Sequence, residues 1–232
     1  MNHRYIPIQD ANPLDPQGLT LQALRVLQGF QPRWAGCLIL GVGLGPQGSA
    51  LAFAANIAGA ACLVVDDRED LCRAAMRSGA ADFLVNDLAE ALRILKNEIR
   101  KGLPCSVAVR TAPLDALAEL MERGVLPELC SLCDLPIPVA LRERMVRGWA
   151  SRGCHIVHLP MANEVAANGM EEHTFAFDSA LEVKAFDQGI QALLPVDDPR
   201  QKWLKAAPRL FARSRTRTVD LKPTELAELH RS

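Results

Sequence analysis

Apolar runs of strand length alternate with helix-spaced apolar positions along most of this chain. Residues 18–30 (GLTLQALRVLQGF) set Leu19, Leu21, Leu24, Leu27 and Phe30 near helical spacing, and Gly29 with Pro32 can close the segment. Residues 37–42 form a continuous apolar run between Gly36 and Gly43, the pattern of a strand buried on both faces. The small, apolar residues of 48–59 predict a helix lying close on that sheet, and 61–65 a second buried strand ending at Asp66-Asp67. Helix over 68–78, a short strand over 82–85, helix over 88–101, strand over 105–109, helix over 113–123 and a short apolar run at 129–132 follow in turn. Strict alternation of this kind predicts an α/β protein with a Rossmann-like doubly wound parallel sheet.

Beyond this point the pattern loosens. Pro136 and Pro138 precede a charged helix over 139–152, which leads into the strand-like HIVHL. Residues 175–194 read as mostly helical, 195–199 as a turn, 201–211 as a short helix carrying Trp203, and 212–232, with RSRTRT, as a mobile tail. The expected organisation is an N-terminal arm and leading helix over 1–35 and a dinucleotide-binding core over 36–135. A C-terminal α/β and helical extension of the same domain over 136–211, a helical appendage to the core, and a tail over 212–232 complete it.

Composition narrows the partners. The chain has 232 residues, 49% of them hydrophobic, enough to build its own core. A formal charge of −1 supplies no long-range field, so neither nucleic acid nor a membrane surface is an expected partner. The N-terminus has no apolar core of the signal-peptide kind, and the stretch 50–65 is shorter than the roughly 20 residues a bilayer needs. A cytoplasmic location is expected. The 7 cysteines are odd in number and lie mostly in apolar segments, which suits reduced, packed thiols.

The chemistry concentrates where the first strand ends. Gly43-Leu44-Gly45-Pro46-Gln47-Gly48 fits G-x-G-x-x-G between a strand and a helix. In such a loop the first glycine permits the turn, the second lets a diphosphate approach the backbone, and the third lets helix and strand pack closely. The helix-start amides and dipole then face the phosphates. Asp66, about 20 residues further on at the end of the second strand, is placed to accept from adenosine ribose hydroxyls and to repel a 2′-phosphate, favouring NAD over NADP. Pro46 takes one donor out of the loop, and is tolerated at the first helical position. A tight glycine turn serving packing alone is the other reading of the same residues.

Other constellations have plainer accounts. Cys130-x-x-Cys133 with Cys154, His155 and His158 could form a metal or redox site, but the second pair lacks the usual spacing and His155 points away from 154, 156 and 158 on a strand, so no metal site is assigned. His158 and His173 have no sequence-local partner to tune them, and 213–217 read as a solvated segment.

Taken together, GLGPQGSA, IAGAACLVVDD, RSGAAD, SVAVRTAPLDALAELMERGVLPEL and LLPVDDPRQKWLKAA, with YIPIQ near the start, resemble the NAD-binding region of urocanase (urocanate hydratase) over roughly residues 5–208. In that family tightly bound NAD⁺ acts as an electrophile towards the imidazole of urocanate while water adds, a carbon–oxygen lyase reaction of histidine degradation. The resemblance implies that Gly43, Gly45, Gly48 and Ser49 approach the diphosphate, Asp66 the adenosine ribose, and Thr111 and Ala112 the middle of the cofactor. Asn163 falls where the family has a paired-asparagine turn.

The chain also departs from the family. Where the family has a polar stretch of glutamine, threonine, serine and histidine, this sequence reads CSLCDLPIP, and LFARSRTRTVDLKP stands where the family has its active-site cysteine segment. The expectation is a free-standing counterpart of the central cofactor domain that binds NAD⁺ and is catalytically incomplete alone, with no catalytic residue assigned. Two alternatives stand beside it: a lyase completed by a complementary urocanase-like subunit, and a structural module without nucleotide. The family's dimeric habit suggests a homodimer, and a small-molecule substrate is a possible further partner.

Overall fold

The computed structural model describes residues 5, 7, 8, 12, 14–133, 138–159 and 169–230. They fall into two compact units, drawn from residues 23–159 and from 1–22 with 160–232.

The first unit is built on six parallel strands, β1 (Leu38–Val42), β2 (Ala61–Asp66), β3 (Phe83–Val85), β4 (Cys105–Arg110), β5 (Leu129–Leu132) and β6 (His155–Val157), in the order β3-β4-β2-β1-β5-β6. β1 and β2 are buried along their whole length because neighbouring strands flank them and helices cover them, which explains their unbroken apolar sequence. Each buried Leu or Val on them contributes about 1.5–3 kcal/mol. The helices of this unit are α2 (Pro46–Ala58), α3 (Glu69–Ser78), α4 (Leu88–Lys101), α5 (Pro113–Glu122) and α6 (Val139–Gly148), preceded by α1 (Pro16–Phe30). Alternate strand residues (Leu38, Leu40, Val42, Leu63, Val65, Val107, Val109) pack with Leu88, Leu95, Leu117, Leu120 and Met145 of α4, α5 and α6 and with Trp149 just after α6. On the opposite face α2 lies close to the sheet, a Cβ on Gly41 falling 3.1 Å from Leu51 of that helix. The doubly wound reading therefore holds.

Local signals set the helix ends. Asp87 caps α4 by accepting from Ala89 N at 3.1 Å, and α2 starts on Pro46, whose missing N–H costs the helix nothing there. The charged helix expected over 139–152 is shorter: α6 ends at Gly148 and a 3-10 turn covers Ala150–Arg152, where Trp149 turns inward and donates from Nε1 to Val125 O at 2.9 Å.

In the second unit β7 (Glu171–Ala176) pairs antiparallel with β8 (Thr216–Leu221), accompanied by α7 (Ala180–Leu193), α8 (Arg200–Leu210) and α9 (Pro223–Leu229). The C-terminal appendage is thus helical with an antiparallel pair. Two expectations are corrected here. Residues 175–176 belong to a strand, not to the following helix, and 212–232 carry β8 and α9 where a tail was expected. Arg217, read as a solvated cation, is 1% exposed. It donates from Nε and Nη2 to Asp187 at 2.7 and 2.9 Å and from Nη1 to Gln17 at 2.9 Å. The partners that make its burial tolerable lie far away in sequence, so local composition could not reveal them.

Candidate functional site

The strand order places a crossover reversal at β1: from β1 the chain passes to β2 and the edge strand β3, returns to β4 between them, then crosses to β5 on the other side of β1. In open α/β sheets the crevice outside the C-terminal ends of the strands at such a point is where ligands bind. The loop at this point is tightly specified. Gly43 has φ 100°, a region open to glycine, and its N–H donates to Val65 O at 2.9 Å, tying the turn to β2. Gly45, extended at φ −67° and ψ −166°, is the residue before α2. A Cβ on Gly48 would lie 1.8 Å from the Gly43 carbonyl oxygen, an impossible approach, so the third glycine is demanded by the packing of α2 on the turn. Pro46 contributes no donor, so the backbone N–H groups of the first helical turn begin at Gln47. Half-buried Ser49 donates its backbone N–H to Gly45 O at 3.0 Å, and its hydroxyl lies 3.5 Å from Leu44 O.

Asp66 sits at the end of β2 as expected, but its carboxylate is turned inward. Oδ2 accepts the Leu44 N–H at 2.6 Å and Arg68 Nη2 at 2.7 Å; Oδ1 accepts the Arg68 N–H and Nε, both at 2.9 Å. The side chain is 0% exposed while that of Arg68 is 44% exposed. Burial alone would raise the Asp66 pKa; the Arg68 guanidinium and the two backbone donors outweigh it and hold the carboxyl below its ordinary value. Asp66 therefore braces the glycine loop. Arg68 is the residue that sequence reasoning passed over. Its signal was the i, i+2 spacing to Asp66 at a strand end, which puts both side chains on one side.

The turn after β4 belongs to the same edge. Thr111 donates its N–H to Asp66 O at 3.2 Å, and Ala112 immediately precedes α5, with Pro113 at the first helical position. Arg110, the register partner of Asp66, pairs with Glu69 at 2.9 Å. Across β1, Cys133 follows β5, its N–H on Val42 O at 3.0 Å and its Sγ 3.5 Å from Ser131 Oγ; a Cβ on Gly48 would stand 3.8 Å from Cys133 Cβ. Gly43, Gly45, Gly48, Ser49, Asp66, Thr111 and Ala112 thus converge on one end of the sheet. Asn163 and residues 134–137 lie outside the described residues.

Among the described residues no group of three or more His, Cys, Asp or Glu side chains is arranged to hold a metal ion. Burial pushes the Cys72, Cys105 and Cys154 thiols up to about 11 and raises Cys130 as well, so at neutral pH these four stay protonated. His155 is stacked on Phe30 with centroids 4.3 Å apart, His158 is exposed, and burial lowers the His173 pKa against the opposing pull of Glu171. No helix among the described residues is long and apolar enough to cross a membrane.

A sequence model described as the urocanase Rossmann-like domain matches residues 19–133. These residues are a Rossmann-like domain of the urocanase family. The match runs from α1 to Cys133, so the urocanase-family domain contains the whole glycine loop, Asp66, Arg68, Thr111 and Ala112, while Asn163 lies beyond it. Among solved structures the chain is similar to galactitol-1-phosphate dehydrogenase from Escherichia coli, at 14% identity and TM-score 0.36, over 86% of this chain and 48% of that one. It is also similar to a short chain alcohol dehydrogenase from E. coli CFT073 complexed with NADH, at 16% identity and TM-score 0.40, over 68% and 47%. The chain spans about half the length of these two structures.

Proposed function

We propose that the protein binds a nicotinamide adenine dinucleotide at the C-terminal edge of the sheet, with the diphosphate at the glycine turn and the N-terminal end of α2, and that it does not hydrate urocanate by itself. The close approach of Gly48 to Gly43 carries this reading, because it brings the start of α2 against the turn and aims amides and helix dipole at the crevice. Membership of residues 19–133 in the urocanase family favours NAD⁺, which in that family serves as an electrophile. Thr111 and Ala112 stand where the middle of the ligand passes.

Hydration also needs groups that move protons. The wall beside the loop, Leu129–Leu132 with Cys133, is buried and offers thiols and one hydroxyl, neither imidazole nor carboxyl. On this reading a complementary urocanase-like subunit supplies the acid–base groups where catalysis occurs, and a homodimer is the simplest assembly. Titrating NAD⁺ and NADH into the purified chain, with mass spectrometry for nucleotide carried through purification, tests the first part. An empty protein that ignores both at millimolar concentration refutes it. Loss of urocanate's near-ultraviolet absorbance on adding the chain alone refutes the second part.

A further inference from the structure

Given the dinucleotide reading above, the adenosine end of the ligand reaches the tip of β2. What stands there is a guanidinium. The Asp66 carboxylate has about four acceptor directions. All are engaged, by Leu44 N, Arg68 N, Arg68 Nε and Arg68 Nη2, at 2.6–2.9 Å. A ribose diol could reach the carboxylate only by exchanging the two charge-assisted bonds of a planar fork for bonds from neutral hydroxyls, an unfavourable trade. The Arg68 side chain, 44% exposed and pinned at two points, covers the acid and sets a cation where a bare carboxylate would otherwise stand. Its plane also suits stacking on a purine.

We infer that the adenosine moiety is met by the Arg68 guanidinium and not by the Asp66 carboxylate, so that the site tolerates a phosphate on the adenosine 2′-oxygen. Discrimination against NADP is ordinarily the work of a bare carboxylate at this place, one that accepts from the 2′-hydroxyl and repels a 2′-phosphate. Here the carboxylate is covered, and Arg110 adds a second cation on the adjacent strand, in register with Asp66. The surrounding acids set the limit. Glu69 is shared between Arg73 and Arg110, while Asp67 and Asp70 are exposed beside it. They keep the edge from becoming a strong phosphate trap, so tolerance is the outcome and not preference.

The test is fluorescence titration of NADH and NADPH into the full chain, wild type, Arg68→Ala and Arg68→Met, each checked for an unchanged circular-dichroism melt. For wild type the two dissociation constants are expected to agree within tenfold. Both variants uncover Asp66, so NADPH binding is expected to weaken at least tenfold relative to NADH. A wild-type preference for NADH beyond tenfold, or variants that keep the wild-type ratio while binding both ligands, would overturn this inference and leave the dinucleotide reading standing. Failure of wild type to bind either ligand would overturn both.

Discussion

The two compact units are held by different means. In the unit of residues 23–159 the buried side chains are overwhelmingly aliphatic, and its buried polar groups, such as Asp66, Ser106 and Ser131, are few. In the unit around β7 and β8 the interior contains Gln17, Thr174, Asp187, Arg200, Gln201, Arg217, Thr218 and Asp220. Arg200 joins Asp198 and Glu225 there, and Arg217 joins Asp187 and Gln17. Non-directional apolar burial tolerates local adjustment, whereas a buried ion pair stabilises only while every partner stays in place. The first unit can therefore hold a tightly specified glycine loop on a robust sheet; the second depends on a few specific contacts.

The comparison is broken most forcefully at Arg217. Arg217→Ala leaves Asp187 buried without its guanidinium, and the β7–β8 unit is expected to lose about 3–5 kcal/mol in urea denaturation. Gly48→Ala drives a methyl against the Gly43 carbonyl; a loss of about 1–3 kcal/mol and of dinucleotide binding together is expected, read by denaturation and by NADH titration. Acid sharpens the contrast further. The Asp66 pKa is lowered in the fold, so its contribution is complete above the unfolded value of about 3.9 and disappears as pH falls through the lower folded value. Urea midpoints for wild type and Asp66→Asn should accordingly converge as pH drops below about 4. The smallest effect is expected at Gly189, exposed in α7 with nothing within 4 Å of its would-be Cβ: Gly189→Ala should stabilise by roughly 0.4–1 kcal/mol in the same assay, without touching the polar network.

Much of the first unit was legible because its strands are buried on both faces and its helices carry ordinary stop signals. Leu88–Lys101 and Leu129–Leu132 appear with the bounds their patterns imply, and the glycine loop lies between strand and helix as its spacing requires. The second unit was read poorly for a physical reason. In Thr216–Leu221 alternate positions carry Arg217, Val219 and Leu221 on one side and polar residues on the other, so a buried arginine occupies a place that period-two reading reserves for an apolar side chain. At the candidate site the presence of a carboxylate at the end of β2 was legible; its direction was not.

Sequence alone determined which residues could form strands, where the glycine turn must come, and that a carboxylate ends the second strand, because hydrophobic periodicity and glycine sterics act over neighbouring positions. Tertiary structure decided that Asp66 faces Leu44 and Arg68, and that Arg217 is buried against Asp187 and Gln17. Hydrogen-bond partners of a buried charge are chosen by which groups the fold brings within about 3 Å, and that choice is written in no local stretch of sequence.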